Sequence, residues 1–157
     1  MMLVTAPGKE EETVIRLSRV KFDKIQGYLA GGFDTWKNAG QTVDQIVDIE
    51  ADELAMDIAH DPNLVVVDVR RETEYADGHI AGAQNLPLNE MNDVLNLLHF
   101  EDTQNLYIHC AGGYRSVIAA SLLKHEDVHN LRNNMGGWGE IKDQKNIKTK
   151  KEASVLN

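Results

Sequence analysis

"HCAGGYRS" spans His109–Ser116 and holds Cys110, the sole cysteine among 157 residues. The run leading into it, "NLYIHC" (Asn105–Cys110), is apolar and predicts a buried strand. The run leaving it, "SVIAASLLKH" (Ser116–His125), carries apolar residues at helical spacing and predicts a helix. Cys110 therefore falls at the C-terminal end of a strand, in a glycine loop, just before a helix N-terminus.

That position matters because a thiol attacks only as its thiolate. Backbone N–H groups converge where a helix begins, and the helix dipole is positive there. Gly112 and Gly113 are expected to let the chain curl so that several N–H groups point inward. Arg115 closes the loop with a fixed cationic fork. Such a cradle of Ala111, Gly112, Gly113, Tyr114, Arg115 and Ser116 lowers a thiol pKa and holds an anion beside or upon the sulfur. The plainer reading, a free cysteine as core filler, does not account for the glycines and the arginine. Tyr114, at the loop tip, is expected to be exposed, on the acceptor side.

The remainder of the chain supplies a scaffold. "NLVVVDVR" (Asn63–Arg70) is a β-branched run after Asp61-Pro62 and predicts a second buried strand. "DIEADELAMDIAHDP" predicts an amphipathic helix ahead of it, and "VHNL" (Val128–Leu131) a short strand. Alternating strands and helices predict an α/β domain with a central, mostly parallel sheet flanked by helices. Length allows one full domain and a fragment of another. The formal net charge of −9 leaves no cationic surplus for a nucleic-acid surface. No apolar run is long enough to span a bilayer, and "MMLVTAPGKEEE" lacks the order of a signal peptide. A lone cysteine fits a reducing compartment and a cytoplasmic location. The basic stretch "IKDQKNIKTKK" reads as a solvated, frayed end.

An internal repeat adds a boundary. "LVTAPGKEEETVIRLSRVKFDKI" (Leu3–Ile25) aligns without gaps on "LYIHCAGGYRSVIAASLLKHEDV" (Leu106–Val128). Leu3 meets Leu106, Val14 meets Val117, Ile15 meets Ile118, and Ser18 meets Ser121; Gly31-Gly32 matches Gly136-Gly137 after two extra residues. Residues 1–41 thus read as the back half of the fold that residues 42–157 carry complete. Pro7 stands where Cys110 stands, and Glu12 where Arg115 stands, so the first copy lacks the loop's chemistry. A half domain is expected to order only by packing on the full one or on a second copy of the chain, which leaves a homodimer open.

"DVRRETEYADGHIAGAQNLPL" (Asp68–Leu88), "CAGGYRS" and "NNMGGWGEI" occur in this order, and together they resemble the rhodanese-like sulfurtransferases over about Ile49–Ile141. The resemblance implies that Cys110 is the nucleophile that holds a persulfide sulfur, with Arg115 and the loop as its anion cradle. It implies that Asp68, Arg70, Glu74 and His79 are framework positions; Arg70 and Glu74 are spaced to pair locally, and "GHIAGA" reads as a turn into the next strand. It implies a small anionic sulfur donor, a thiol, sulfite or cyanide-like acceptor, and no metal or cofactor, since sulfur carries the electrons. The first copy resembles the inactive rhodanese segment between a metallo-β-lactamase-type domain and a C-terminal rhodanese domain in fusions similar to persulfide dioxygenases joined to a sulfurtransferase, which implies a metallo-β-lactamase-type domain upstream in the parent chain.

Two other readings stay open. A cysteine phosphatase or arsenate reductase also uses a His-Cys strand end and an Arg-Ser. Phosphatase loops in that class carry five residues between Cys and Arg, whereas Ala111–Tyr114 are four. A non-catalytic interaction module is the other alternative, with the first copy as its precedent. "HEDVH" (His125–His129) mimics a zinc-binding helix, but the repeat ends the helix near His125. Trp36 and Trp138 follow Gly-Gly turns and read as packing anchors, and His109 as a strand residue that fixes the loop.

Overall fold

The computed structural model describes residues 1–19, 23–91, 100–101 and 103–152. They form two compact units, Met1–Gln45 and Ile46–Asn157. In the first, β1 (Met2–Leu3), α1 (Glu10–Ser18), β2 (Gly27–Tyr28) and α2 (Gly32–Asn38) follow one another, and the two strands pair in parallel. Gly32 has φ +64, and a Cβ there would run into the Thr5 carbonyl. Trp36 is exposed here, not packed, and its indole N–H donates to the Thr42 carbonyl at 2.9 Å.

The second unit contains β3 (Val47–Ile49), α3 (Ala51–His60), β4 (Leu64–Asp68), α4 (Glu72–Ala76), β5 (His79–Ile80) and β6 (Gln84–Asn85). After these come β7 (Asn105–His109), α5 (Tyr114–His125), β8 (Leu131–Asn134), α6 (Gly137–Ile141) and β9 (Thr149–Lys150). Five strands form one sheet in the order β3-β8-β7-β4-β6, with every pairing parallel. Successive side chains of a strand face opposite sides, so each central strand feeds two cores. Val67, Leu106 and Ile108 pack with Ala119, Ala120 and Leu123 of α5. Val66 and Tyr107 pack on the other face with Leu54 and Ala55 of α3 and Ile141 of α6. This is the α/β architecture expected from the alternation of strands and helices.

Two further expectations are corrected. The strand predicted at Val128–Leu131 begins only at Leu131, because Asp127, at φ +62, makes the chain turn first. The basic C-terminal stretch is not frayed through residue 150. Ile147 is buried among the α3 face, and β9 pairs antiparallel with β5. The apolar Ile147 side chain outweighs its charged neighbours. The helix ends at His125 as the repeat requires, so His125 and His129 do not share a helical face.

The ends of β4 and β7 lie side by side, with Asp68 in register with His109. Asp68 is fully buried and would be costly as a lone carboxylate. Arg70 answers it: NH2 approaches to 2.6 Å and Nε and the backbone N–H to 3.0 Å. The Arg70 NH2 group also donates to the Gly78 carbonyl at 2.6 Å, and its guanidinium lies 4.7 Å from the Trp138 ring centre. Arg70→Ala should therefore lower unfolding free energy by about 3–5 kcal/mol, because it strands a buried charge. Chemical denaturation measures this, and a loss below about 1 kcal/mol would contradict the pairing's structural role.

Candidate active site

Cys110 follows the last residue of β7, and four residues separate it from Arg115 in the first turn of α5. The carboxyl end of a parallel sheet, before a helix N-terminus, is where open α/β sheets bind ligands. Gly113 has φ +87, and a Cβ there would run into the Met135 carbonyl. Gly112 has no positive φ and open space around it, so the curl belongs to Gly113 alone. From below, Gly137 presses on the loop at φ +56, with no room for a Cβ against the Cys110 carbonyl. The Trp138 and Gly139 N–H groups then donate to the Cys110 and Ala111 carbonyls, at 2.7 and 3.1 Å. With those carbonyls drawn away, the loop's N–H groups are left to the sulfur.

Burial of Cys110 works against its thiolate. The Ser116 hydroxyl, 3.6 Å from Sγ, and the backbone N–H groups of Ser116, Gly112 and Arg115 outweigh that burial and bring the thiol below its ordinary value. Ser116 Oγ also lies 3.0 Å from the Gly113 carbonyl, which ties it to the loop. Tyr114 is 81% exposed, as expected of the loop tip.

Arg115 does not stand free over the loop. Its NH1 and NH2 groups hold the two carboxylate oxygens of Glu74 at 2.7 and 2.8 Å. Glu74 also accepts the Arg71 N–H at 3.2 Å, capping α4. The expected local pair of Arg70 with Glu74 is absent, because Arg70 turns to Asp68 and Glu74 reaches across 41 residues to Arg115. The Arg115 hydrogen bonds hold the Glu74 carboxyl at about 2. Its ion pair is thus intact at neutral pH and is lost only as pH falls toward that value.

The other expected positions surround this centre. His109 is fully buried, with Nδ1 3.3 Å from the Cys110 carbonyl and Nε2 3.7 Å from Asp68. Burial lowers its pKa, against the pull of Asp68, and so favours the neutral imidazole. His79 is stacked on Tyr75 at 3.7 Å, with Nδ1 2.9 Å from the Tyr75 carbonyl. Two positions escaped the sequence reading. Asn85 donates to the Asp68 and Arg70 carbonyls, and Asn134 accepts the Gly137 N–H that seats α6 under the loop. Their only sequence signal was proximity to "NLPL" and "GGWG", which does not reveal a hydrogen-bond partner. Among the described residues no cluster of three or more His, Cys, Asp or Glu could hold a metal ion.

A family profile for the rhodanese-like domain matches residues 50–144. The chain belongs to the rhodanese-like family. An uncharacterized Bacillus subtilis protein is 32% identical over 84 residues, which cover 51% of this chain and 65% of that one. This rhodanese-like chain therefore spans less than two thirds of that relative. A Schizosaccharomyces pombe protein provisionally named a mitochondrial thiosulfate sulfurtransferase is 30% identical, over 57% of this chain and 70% of its own. A Staphylococcus saprophyticus crystal structure superposes with a TM-score of 0.57 at 34% identity, covering 66% of this chain and 99% of that one. No helix among the described residues is long and apolar enough to cross a membrane.

The loop geometry sets a pH test. Alkylation of Cys110 by iodoacetamide should reach half its limiting rate at a lower pH than an unperturbed cysteine does, because only the thiolate reacts. Ser116→Ala removes a donor to the thiolate and should move that midpoint upward. A midpoint that stays put in Ser116→Ala would contradict the hydroxyl's role.

Proposed function

We propose that the protein is a sulfurtransferase that passes a sulfane sulfur through a Cys110 persulfide. The observation that carries this reading is a thiol at a strand end, ringed by N–H donors and facing Arg115, with its pKa drawn down. The Cys110 thiolate attacks the outer sulfur of the donor and forms a new S–S bond. The donor's own S–S bond breaks, and its electron pair leaves on sulfite when the donor is thiosulfate, or on a thiolate when it is a persulfide. A nucleophilic acceptor such as a thiol, sulfite or cyanide then attacks the terminal sulfur, and Cys110 departs as thiolate. The loop N–H groups stabilise sulfur anions at both steps, which is electrostatic preorganisation of a nucleophile and leaving group. Sulfur carries the electrons, so the cycle balances without a cofactor.

Ala111–Tyr114 make a ring one residue shorter than a phosphatase loop, which favours a sulfur species over a tetrahedral phosphate ester. The degenerate first copy, with Pro7 at the cysteine position and Glu12 paired to Lys9 and Arg16, has no such site. Its likeness to the inactive rhodanese segment of a metallo-β-lactamase fusion rests on its own sequence, and none of the relatives named above adds support. A cytoplasmic setting suits a thiol that must stay reduced between turnovers.

Cys110→Ser should abolish sulfur transfer from thiosulfate or glutathione persulfide to cyanide. Arg115→Ala should cut turnover with anionic donors roughly ten- to hundredfold, the loss of a charge-assisted contact worth about 1.5–3 kcal/mol. Steady-state assays on folded variants decide both. Turnover of Cys110→Ser near the wild-type rate, or aryl phosphate hydrolysis faster than sulfur transfer, would sink the reading.

A further inference from the structure

Arg115 serves two anionic groups at once. Glu74 takes both prongs of its guanidinium, while the Cys110 sulfur is the other negative group that acts on it. The pair is not sealed away: the Arg115 and Glu74 side chains are 30% and 35% exposed. Both line an open cleft of about 420 Å³ together with Val69, Arg71, Leu88 and Asn89. A cleft of this size accepts a small organic molecule. Its wall is partly apolar, through Leu88; of its two cations, Arg71 and Arg115, the one nearest the thiol is already balanced by a carboxylate.

We propose that Glu74 determines donor choice, favouring the persulfide of a small organic thiol over a doubly charged inorganic anion such as thiosulfate. This rests on the sulfur-transfer reading above. A dianion near Arg115 must compete with Glu74 for the guanidinium and is repelled by the same carboxylate. A protonated persulfide, R–S–SH, is neutral at its reacting end and needs no free guanidinium; its carbon chain can lie against Leu88. The Cys110 thiolate attacks the outer sulfur, the R–S to S bond breaks, and RS⁻ leaves with the electron pair. Cys110 is left as Cys–S–SH, which retains the donor's proton. Glu74 is thus a specificity-determining residue that acts through Arg115, not a group that touches the reacting sulfur.

The test is Glu74→Gln, which keeps the shape and removes the charge. Its first readout needs no sulfur transfer: the ratio of Cys110 alkylation rates with anionic iodoacetate and neutral iodoacetamide. Removing one negative charge from this cleft should raise that ratio by about fivefold. Glu74→Asp, which keeps the charge, should stay near the wild-type ratio. The second readout is kcat/KM for thiosulfate relative to cysteine persulfide, whose carboxylate and ammonium cancel; it should rise in Glu74→Gln by a similar factor. If sulfur transfer proceeds but neither ratio moves, the assignment to Glu74 is overturned while the function stands. If the wild-type protein takes sulfur from neither donor, the function itself falls, and donor choice with it. Should Glu74→Gln fail to fold, the wild-type protein decides alone: a preference for thiosulfate over cysteine persulfide overturns the proposal.

Discussion

Asp68 is a carboxylate with no exposure to water, at the last residue of a central strand, and the domain is arranged around keeping it paired. Arg70 grips it from two residues away, and the same guanidinium reaches Gly78 and lies over Trp138. The Asp68 backbone carbonyl receives the Asn85 side chain and the Leu86 N–H. Its neighbour across the sheet is His109, the residue before the thiol. One buried ion pair thus joins β4, the turn before β5, β6 and α6 at the edge of the cysteine loop. A buried pair is weak grounds for stability as such, since removing two charges from water is costly. Its contribution here is positional: each partner would be stranded if the elements that carry it moved apart.

The loop inherits that order. Trp138, stacked under Arg70, lends its N–H to the Cys110 carbonyl, so the framework pair and the reactive loop share a residue. Two arginines then divide two carboxylates. Arg70 goes to Asp68 in the interior, and Arg115 goes to Glu74 in the open cleft. Had Arg70 taken Glu74, Asp68 would be buried unpaired and Arg115 would be free for any anion. The partition separates a buried scaffold charge pair from one that lines an open cleft.

Much of this was legible in the sequence, for reasons that differ by residue. The β-branched run Leu64–Asp68 and the apolar run Asn105–His109 declare themselves as strands because both faces of a parallel sheet are buried. Cys110 between a strand and a helix, with Gly113 and Arg115 beyond it, marked the candidate site without coordinates. The pairing of Arg70 with Glu74 misled because the spacing of four residues suggests neighbours on one helical face. Arg70 precedes α4, which starts at Glu72, so that spacing did not apply. The true partner of Glu74 lies 41 residues on and is brought near only by sheet register. The C-terminal stretch misled in the opposite way, since its lysines outnumber the two isoleucines, Ile141 and Ile147, that dock it. Long-range pairings of this kind leave no local pattern to read.

The central claim is that the Cys110 loop holds a sulfane sulfur on a thiolate it stabilises. Intact-protein mass spectrometry tests it most directly, on the wild-type protein incubated with a sulfur donor and then with cyanide. The account predicts one added sulfur that maps to the Cys110 peptide and vanishes when cyanide removes it as thiocyanate. A protein that stays at its unmodified mass with thiosulfate and with small persulfides, while its thiol remains reactive toward iodoacetamide, would contradict it.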